Sequence, residues 1–398
     1  MHPQPIAPVP TTTIGYPQGY RIPTIPYCWD MPHRPPFRAD PVGSLLRPEA
    51  LRRAFKTFAG GGIDASEFRK IQDDSIRAAV QMQEQVGLTV VTDGEFRRSS
   101  YWARFVERIE GFAIGQAAYS FRDESGCETT FTAPFAEARL RRVRELALDE
   151  FLFLREVTRV TPKITLPAPS TMHFYAGRHF ADPQVYADAS EFFADLTLIF
   201  RQEIDGLGKA GCPYVQLDEV AIAMLCDPRL RERAKGEGVD ADKLIDLYID
   251  ATNQALAGRP PDMAAGVHVC RGNFKGRYLS EGGYEAVAER FFGGVNATHF
   301  LLEYDSMRAG DFAPLRFVPK DKGVVLGLIS TKTPVLETSN ALKRRIEEAS
   351  RYVDIDRLAI GPQCGFASTV AGNPLTEADE RAKLARAVEV AGAVWGAP

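Results

Sequence analysis

His268, Cys270, Glu303 and Cys364 are the residues whose types and spacing point most directly to chemistry. His268 and Cys270 stand two apart in Val267-His268-Val269-Cys270. Alternate residues of a strand point to one face, so on a strand the imidazole and the thiol project together. Zinc is held by about four ligands drawn from thiolate, imidazole and carboxylate. Cys364 offers a second thiolate and Glu303 a carboxylate, each from its own segment. A metal in such a set activates thiols: a free thiol has a pKa of about 8.5, and coordination removes its proton outright. Taken singly, each residue has a plainer reading, because a lone buried cysteine is usually a small hydrophobe and a lone histidine a satisfied polar group.

The set forms only if these segments end neighbouring strands. Short β-branched runs alternate with longer amphipathic stretches along the chain, the pattern of a parallel sheet covered by helices. Eight strands are expected: Phe37–Gly43, Leu88–Thr92, Lys163–Leu166, Tyr214–Leu217, Ala264–Val269, His299–Tyr304, Val324–Ile329 and Leu358–Ile360. Helices are expected over Ala65–Val86, Ser190–Ala210, Ala241–Ala257, Glu281–Phe292, Ser339–Val353 and Glu377–Val394. Asp64-Ala-Ser-Glu67 and Thr376-Glu-Ala-Asp379 have the form of capping boxes, and Gly87 follows its helix as a C-cap would. Eight strands separated by helices predict an α/β fold, a single-domain (β/α)8 TIM barrel, with an open doubly wound sheet as the rival. In a barrel, the C-terminal strand ends face the active site. Here they carry His268 and Cys270, Glu303, and Cys364.

Two segments stand outside this alternation. Residues 1–36 are rich in Pro, Thr and Tyr and are expected to form an extended arm on the body or on a partner subunit, with disorder the alternative. Residues 37–398 are expected to form the catalytic barrel, interrupted by an insertion at about 110–159 after the second strand. A polar, aromatic-containing stretch (Ala118–Phe135) precedes an Arg/Glu/Leu-rich run (Ala136–Leu154) expected to be helical. A hairpin and helix there would cover the top of the barrel or build a homodimer contact.

Composition excludes several classes. The 398 residues are 45% hydrophobic and 25% charged, with a formal net charge of -4. That balance suits a globular core and gives no electrostatic footprint for nucleic acid or a membrane surface. No apolar run reaches the roughly 18 residues of a membrane span. The six cysteines (28, 127, 212, 226, 270, 364) are scattered, and the N-terminus lacks the basic start and apolar core of a signal peptide. Reduced thiols and a cytoplasmic location are the expectation.

The segment His268-Val-Cys-Arg-Gly-Asn-Phe274 resembles the H-x-C-x-x-N-F segment of cobalamin-independent methionine synthase. Leu-Leu-Glu303-Tyr and Gly-Pro-Gln-Cys364-Gly match that family's further segments in order and interval. The resemblance implies Zn2+ as cofactor, held by His268, Cys270, Glu303 and Cys364. Val42-Gly43-Ser44 is similar to the family's I-G-S turn, which implies that Ser44 holds the substrate carboxylate. Asp93-Gly94-Glu95 and Gln216-Leu-Asp218-Glu219 are similar to its G-E and Q-I-D-E-P segments, which implies that Glu95 and Asp218 bind the amino group of homocysteine. An ammonium in a partly dry pocket needs such carboxylates. The plainer reading is that Asp218 and Glu219 cap a helix after the strand.

The resemblance covers about residues 37–390 and implies transfer of a methyl group to the thiol of homocysteine, giving methionine. The full-length enzyme of the family has a second, N-terminal barrel, which helps to hold its methyltetrahydrofolate donor and is not matched here. Val220 replaces a proline, and Leu166-Pro-Ala-Pro-Ser170 replaces the family's G-P-V-T segment. Those departures touch the donor side and leave the donor open, with methyltetrahydrofolate the first candidate. The alternative is zinc-dependent alkyl transfer between another thiol and a corrinoid, an epoxide or another carrier. His173, after the third strand, is the candidate proton donor to the leaving group. A barrel that uses zinc only as a scaffold is the rival from outside enzymology. Such a site would be closed by four tight ligands, which a chain this long does not need in order to fold.

Overall fold

A computed structural model describes residues 37–396 of the chain. The expected N-terminal arm, with Cys28, lies outside the described residues. Among the described residues there are nine strands: β1 (Val90–Val91), β2 (Ile109–Arg122), β3 (Glu128–Arg142), β4 (Thr161–Pro167), β5 (Tyr214–Glu219), β6 (Ala264–Val269), β7 (His299–Glu303), β8 (Gly323–Ile329) and β9 (Leu358–Pro362). Seven of them form one sheet in the order β1-β4-β5-β6-β7-β8-β9, every pair parallel. Every residue of β4 to β9 is buried, as expected for a parallel sheet with both faces covered.

The helices follow the sequence closely where apolar periodicity and caps agree. Helices run over Ala65–Gln85, Ala189–Lys209, Ala241–Leu256, Ser339–Ala349 and Glu377–Trp395. The Asp64 carboxylate accepts from the Glu67 amide, and Thr376 and Asp379 form the reciprocal capping box. The expected helix over Glu281–Phe292 is instead a 3-10 turn at Tyr284–Ala286 followed by a short helix at Ala288–Gly294.

The first two expected strands are curtailed. Phe37–Gly43 makes a single parallel bridge, Ala39 to Ile360, flanked by Asp40 N to Ile360 O and Ile360 N to Arg38 O, both 3.0 Å. Pro41 lacks the N–H that would carry the ladder further. The expected Leu88–Thr92 strand keeps only Val90–Val91, because the Gln83 amide takes both backbone groups of Thr92, at 3.1 and 2.9 Å. Side chains also tie Phe37–Gly43, bridged to β9 through its backbone, to β4 and β5 near the other end of the sheet order. Lys163 of β4 donates to the Asp40 carboxylate at 2.6 Å and Tyr214 of β5 donates to it at 2.8 Å. The sheet is therefore strongly curled around a buried polar interior.

The insertion is an antiparallel β2–β3 hairpin followed by a helix at Leu148–Val157. The expectation of a helix from Ala136 is corrected here: Ala136–Arg142 continues the strand, Ala136 facing Phe112 and Arg141 facing Glu110. Arg, Glu and Leu favour helices only weakly, and cross-strand pairing overrides that preference. The hairpin lies over the loops that follow β4 and β6. Its backbone bonds Tyr175 at 2.8 Å through Ala118, and Tyr278 at 2.8 and 3.0 Å through Arg122. Among the described residues, no helix is long and apolar enough to cross a membrane.

Candidate metal and amino-thiol site

Parallel register brings the chemistry of three strand ends together. Asp218 on β5 is the direct neighbour of His268 on β6, and Cys270 follows His268 on the same face. Cys364 leaves the end of β9, two residues beyond Pro362. One ligand atom each from His268, Cys270 and Cys364 lies within 4.8 Å of the others, and all three residues are buried. The two sulfurs are 3.7 Å apart. Two thiolates on a tetrahedral zinc, at about 2.3 Å each, would lie roughly 3.8 Å apart, so the donors fit that ion.

The orientation of His268 suits metal binding as well. His268 Nδ1 lies 3.2 Å from the Leu301 carbonyl, which directs the ring's other nitrogen, Nε2, into the site. Nε2 is buried and has no hydrogen-bond partner of ordinary geometry. A neutral imidazole donating from one nitrogen to a carbonyl and offering the other to an ion is the usual arrangement of a metal-bound histidine. The two thiols share their protons unequally. The hydrogen bond between them holds the Cys364 pKa well below its ordinary value, against burial and with help from His268. The same bond, together with burial, pushes the Cys270 pKa up.

Glu303, expected as the fourth ligand, is not one of these three. Its Oε2 accepts from the Arg271 backbone N–H at 2.6 Å, and its Oε1 lies 3.5 Å from the Lys332 ammonium. The carboxylate stands beside the trio and is engaged with other partners.

A second cluster adjoins the first. Glu95 has a positive φ of 59°, a conformation that costs a non-glycine residue energy and holds its side chain at the end of β1. Its Oε1 accepts from Thr165 at 2.7 Å, and Thr165 in turn accepts from Arg98 at 3.0 Å. Arg98 is clamped by Glu150 of the insertion helix at 2.6 Å. The other oxygen of Glu95, Oε2, is buried and has no hydrogen-bond partner. Burial and the Glu95 charge push the Asp218 pKa up to about 7, against the pull of His268 and of Gln216. Arg98 also stands 3.6 Å from Glu95 Oε1, so of the Glu95 carboxylate it is Oε2 that is left open beside Asp218.

The remaining expected residues separate. Ser44 is buried where a Cβ on Gly365 would come within 1.9 Å of its hydroxyl oxygen, and its carbonyl accepts from the Phe366 amide at 2.8 Å. That contact seats the Val42-Gly43-Ser44 turn against the Cys364 segment. Glu219 is the helix cap, accepting from the Ile222 amide at 3.0 Å, whereas Asp218 takes no such role. His173 sits on a short helix, Thr171–Phe174, among Phe180, Phe193 and Tyr248. Its Nδ1 is 2.8 Å from the Tyr248 hydroxyl, and burial pushes its pKa down to about 4. At neutral pH it has no proton to spare beyond that of the neutral ring.

Lys332 and Arg98 are the residues that reading the sequence missed. Lys332 lies just beyond the fully buried run of β8, after Ser330 and Thr331, and its side chain is buried, a position at a sheet mouth that a sequence could flag. Arg98 lies in Phe96-Arg97-Arg98-Ser99 with nothing local to mark it as an orienting group.

The family model described as the cobalamin-independent synthase catalytic domain matches residues 38–281 and 295–393. The chain belongs to the cobalamin-independent methionine synthase family. The match spans both ends of the curled sheet, including every residue of the trio and of the acidic pair. Two Bacillus subtilis relatives, uncharacterized protein YxjH and uncharacterized protein YxjG, are 39% and 40% identical. They cover 90% and 91% of this chain and 95% and 96% of their own lengths. The methionine synthase of Pyrococcus abyssi is 28% identical over 82% of this chain and 85% of its own. Among solved structures, a putative vitamin-B12 independent methionine synthase from Listeria monocytogenes superposes with a TM-score of 0.70 at 32% identity. It covers 91% of this chain and 98% of its own. A B12-independent methionine synthase from Shewanella sp. W3-18-1 shares the fold, with a TM-score of 0.72 at 22% identity over 90% and 97% of the two chains. Membership of this family makes the chain methyltransferase-like.

Proposed function

We propose that the chain is a zinc-dependent methyltransferase that moves a methyl group onto the thiol of homocysteine, giving methionine. The observation that carries this reading is a pair of unpartnered buried atoms at one sheet mouth, Nε2 of His268 and Oε2 of Glu95. The first seeks a metal and the second a cation. A ligand that answers both is a thiol carrying an ammonium group. The adjoining Ser44 turn gives its carboxylate a place to bind.

His268, Cys270 and Cys364 would hold the zinc, and Glu303 stands ready as a fourth, exchangeable group beside them. Zinc, when bound, lowers the pKa of a coordinated thiol so that a thiolate exists at neutral pH. Three protein ligands leave room for the substrate, as catalytic zinc sites do and closed structural sites do not. Glu95 and Asp218 take the ammonium, Glu95 aimed by Thr165 and Arg98. A sulfonate thiol would be repelled by the same two carboxylates. The thiolate then attacks the donor's methyl carbon in line, the bond to the donor atom breaks, and the leaving group takes up a proton. Methyltetrahydrofolate is the donor tested first.

The same reading extends to the architecture. Phe37–Gly43, bridged to β9 and bonded through its Gly43 carbonyl to the Thr92 hydroxyl at 2.5 Å, closes the curled sheet as the eighth element of a (β/α)8 barrel.

Absorption spectroscopy of the cobalt-substituted protein tests the function. Homocysteine should bring up a thiolate-to-metal band, and methyltetrahydrofolate should then yield methionine. A band with other thiols but none with homocysteine would overturn the substrate assignment. A band without methionine would turn the search to a corrinoid or another methyl carrier.

A further inference from the structure

A buried chain of side chains runs to Asp218 from Asp40, in the segment bridged to β9, through Lys163 of β4 and Gln216 of β5. Gln216 and Asp218 alternate along β5 and so share a face. The Gln216 amide lies between two groups with opposite demands. Its Oε1 accepts from Lys163 Nζ at 2.9 Å. Its Nε2 donates to Asp218 Oδ1 at 2.7 Å and to the Val42 carbonyl at 2.8 Å.

An amide can flip end for end, and alone it would offer Asp218 either an oxygen or an NH2. An ammonium has only donors, so Lys163 accepts just one orientation, with Oε1 toward itself. Lys163 cannot turn away, because it is fully buried and held by Asp40 Oδ1 at 2.6 Å and by the Pro41 carbonyl. Asp40 is fixed in turn by the Tyr214 hydroxyl at 2.8 Å. Lys163 thereby fixes the amide, and the amide fixes which oxygen of Asp218 is already occupied. The other oxygen, Oδ2, is left for a ligand. The second bond of Nε2, to Val42, ties this arrangement to the turn that carries Ser44.

We infer that Gln216, oriented by Lys163, is a positioning residue that sets Asp218 to receive the substrate's ammonium and holds it in register with the Ser44 turn. This rests on the amino-thiol reading above. The role is one of aim rather than contact. Its loss should penalise ligands that carry an ammonium and spare those that do not.

The test is binding of homocysteine and of its des-amino analogue, 4-mercaptobutanoate, to the cobalt-substituted full-length protein, read from the thiolate-to-metal band. Gln216→Met removes both the donor and the acceptor. Gln216→Glu keeps an acceptor for Lys163 but gives Asp218 no donor, and serves if the first variant folds poorly. Each should weaken homocysteine by about tenfold and leave the analogue unchanged, which also certifies the fold and the metal. Equal losses for the two thiols, or no loss for either, overturn the positioning role. If the wild-type protein does not prefer homocysteine to the analogue, the ammonium site itself is wrong, and the inference falls with it for that separate reason.

Discussion

Asp218 and His268 are register partners on adjacent parallel strands, so a carboxylate suited to an ammonium and an imidazole suited to a metal leave the sheet side by side. That one pairing joins two otherwise separate clusters. Glu95 raises the Asp218 pKa from one side and His268 lowers it from the other. A ligand that spans the two must carry a cation and a metal-seeking atom a few bonds apart, as homocysteine does.

Asp218→Asn and Glu95→Gln should each weaken homocysteine on the order of a hundredfold, since removing one partner of a buried charged contact costs roughly 3–5 kcal/mol and the other carboxylate remains. Zinc content should stay at the wild-type level in both. Calorimetric titration of the metal-loaded proteins, with zinc measured by emission spectroscopy, separates the two effects. Parallel loss of metal would mean that the carboxylates serve the ion and not the ammonium.

Cys270→Ser and Cys364→Ser should each abolish turnover and release the metal, with a fall in zinc affinity larger than the roughly 10–100-fold cost of changing a group that only orients a metal ligand. Thermal unfolding of the metal-free variants should fall only modestly below that of the metal-free wild type, because each thiol is a small part of the buried core and a hydroxyl nearly replaces it in size. A large fall in melting temperature of the metal-free variants would instead assign the cysteines to packing. Glu303→Gln should lose less metal than either, given that its carboxylate already bonds the Arg271 amide and faces Lys332.

Most of this site was legible because it depends on strand ends. Six of the eight expected strands lie where alternation and apolar runs put them, and their ends carry Asp218, His268, Cys270 and Cys364 together. What the sequence hid is set by contacts between distant segments. The ladder of Ala136–Arg142 is decided by its partner strand, so a helix-favouring composition misled. Glu303, expected on the metal by its place in a motif, also accepts from a backbone N–H of the neighbouring strand end, a contact that no motif announces. Lys163 and Asp40 meet across 123 residues, and no local pattern announces a buried ion pair of that kind.

The segment after Ser44 makes a pH prediction for stability. The Leu46 amide donates to the buried carboxyl of Glu380 at 2.7 Å, and burial pushes the Glu380 pKa up to about 8 from 4.5. Between those values the folded chain keeps a proton that the unfolded chain has lost, so its contribution is fully present below about pH 4.5 and is lost as pH rises through about 8. Glu380→Gln keeps an acceptor for Leu46 and removes the titration. Urea midpoints of variant and wild type should agree near pH 5, and the variant should gain by pH 9, by at most about 4 kcal/mol. Parallel pH profiles would show that Glu380 does not titrate in this range.

The part of His173 in protonating the leaving group can be tested directly. A general acid works best with a pKa near the working pH. Burial pushes His173 down to about 4, so near pH 7 it is almost wholly neutral. Its ring packs against Phe180 and Phe193 and shares a hydrogen bond with Tyr248. His173→Gln should therefore lower kcat less than about tenfold, with a modest loss of stability from the disturbed aromatic packing. General acid catalysis contributes roughly 10²–10⁴-fold, which sets the contrast. A hundredfold fall in kcat at unchanged melting temperature, recovered with a donor whose leaving group needs no proton, would restore His173 as the acid.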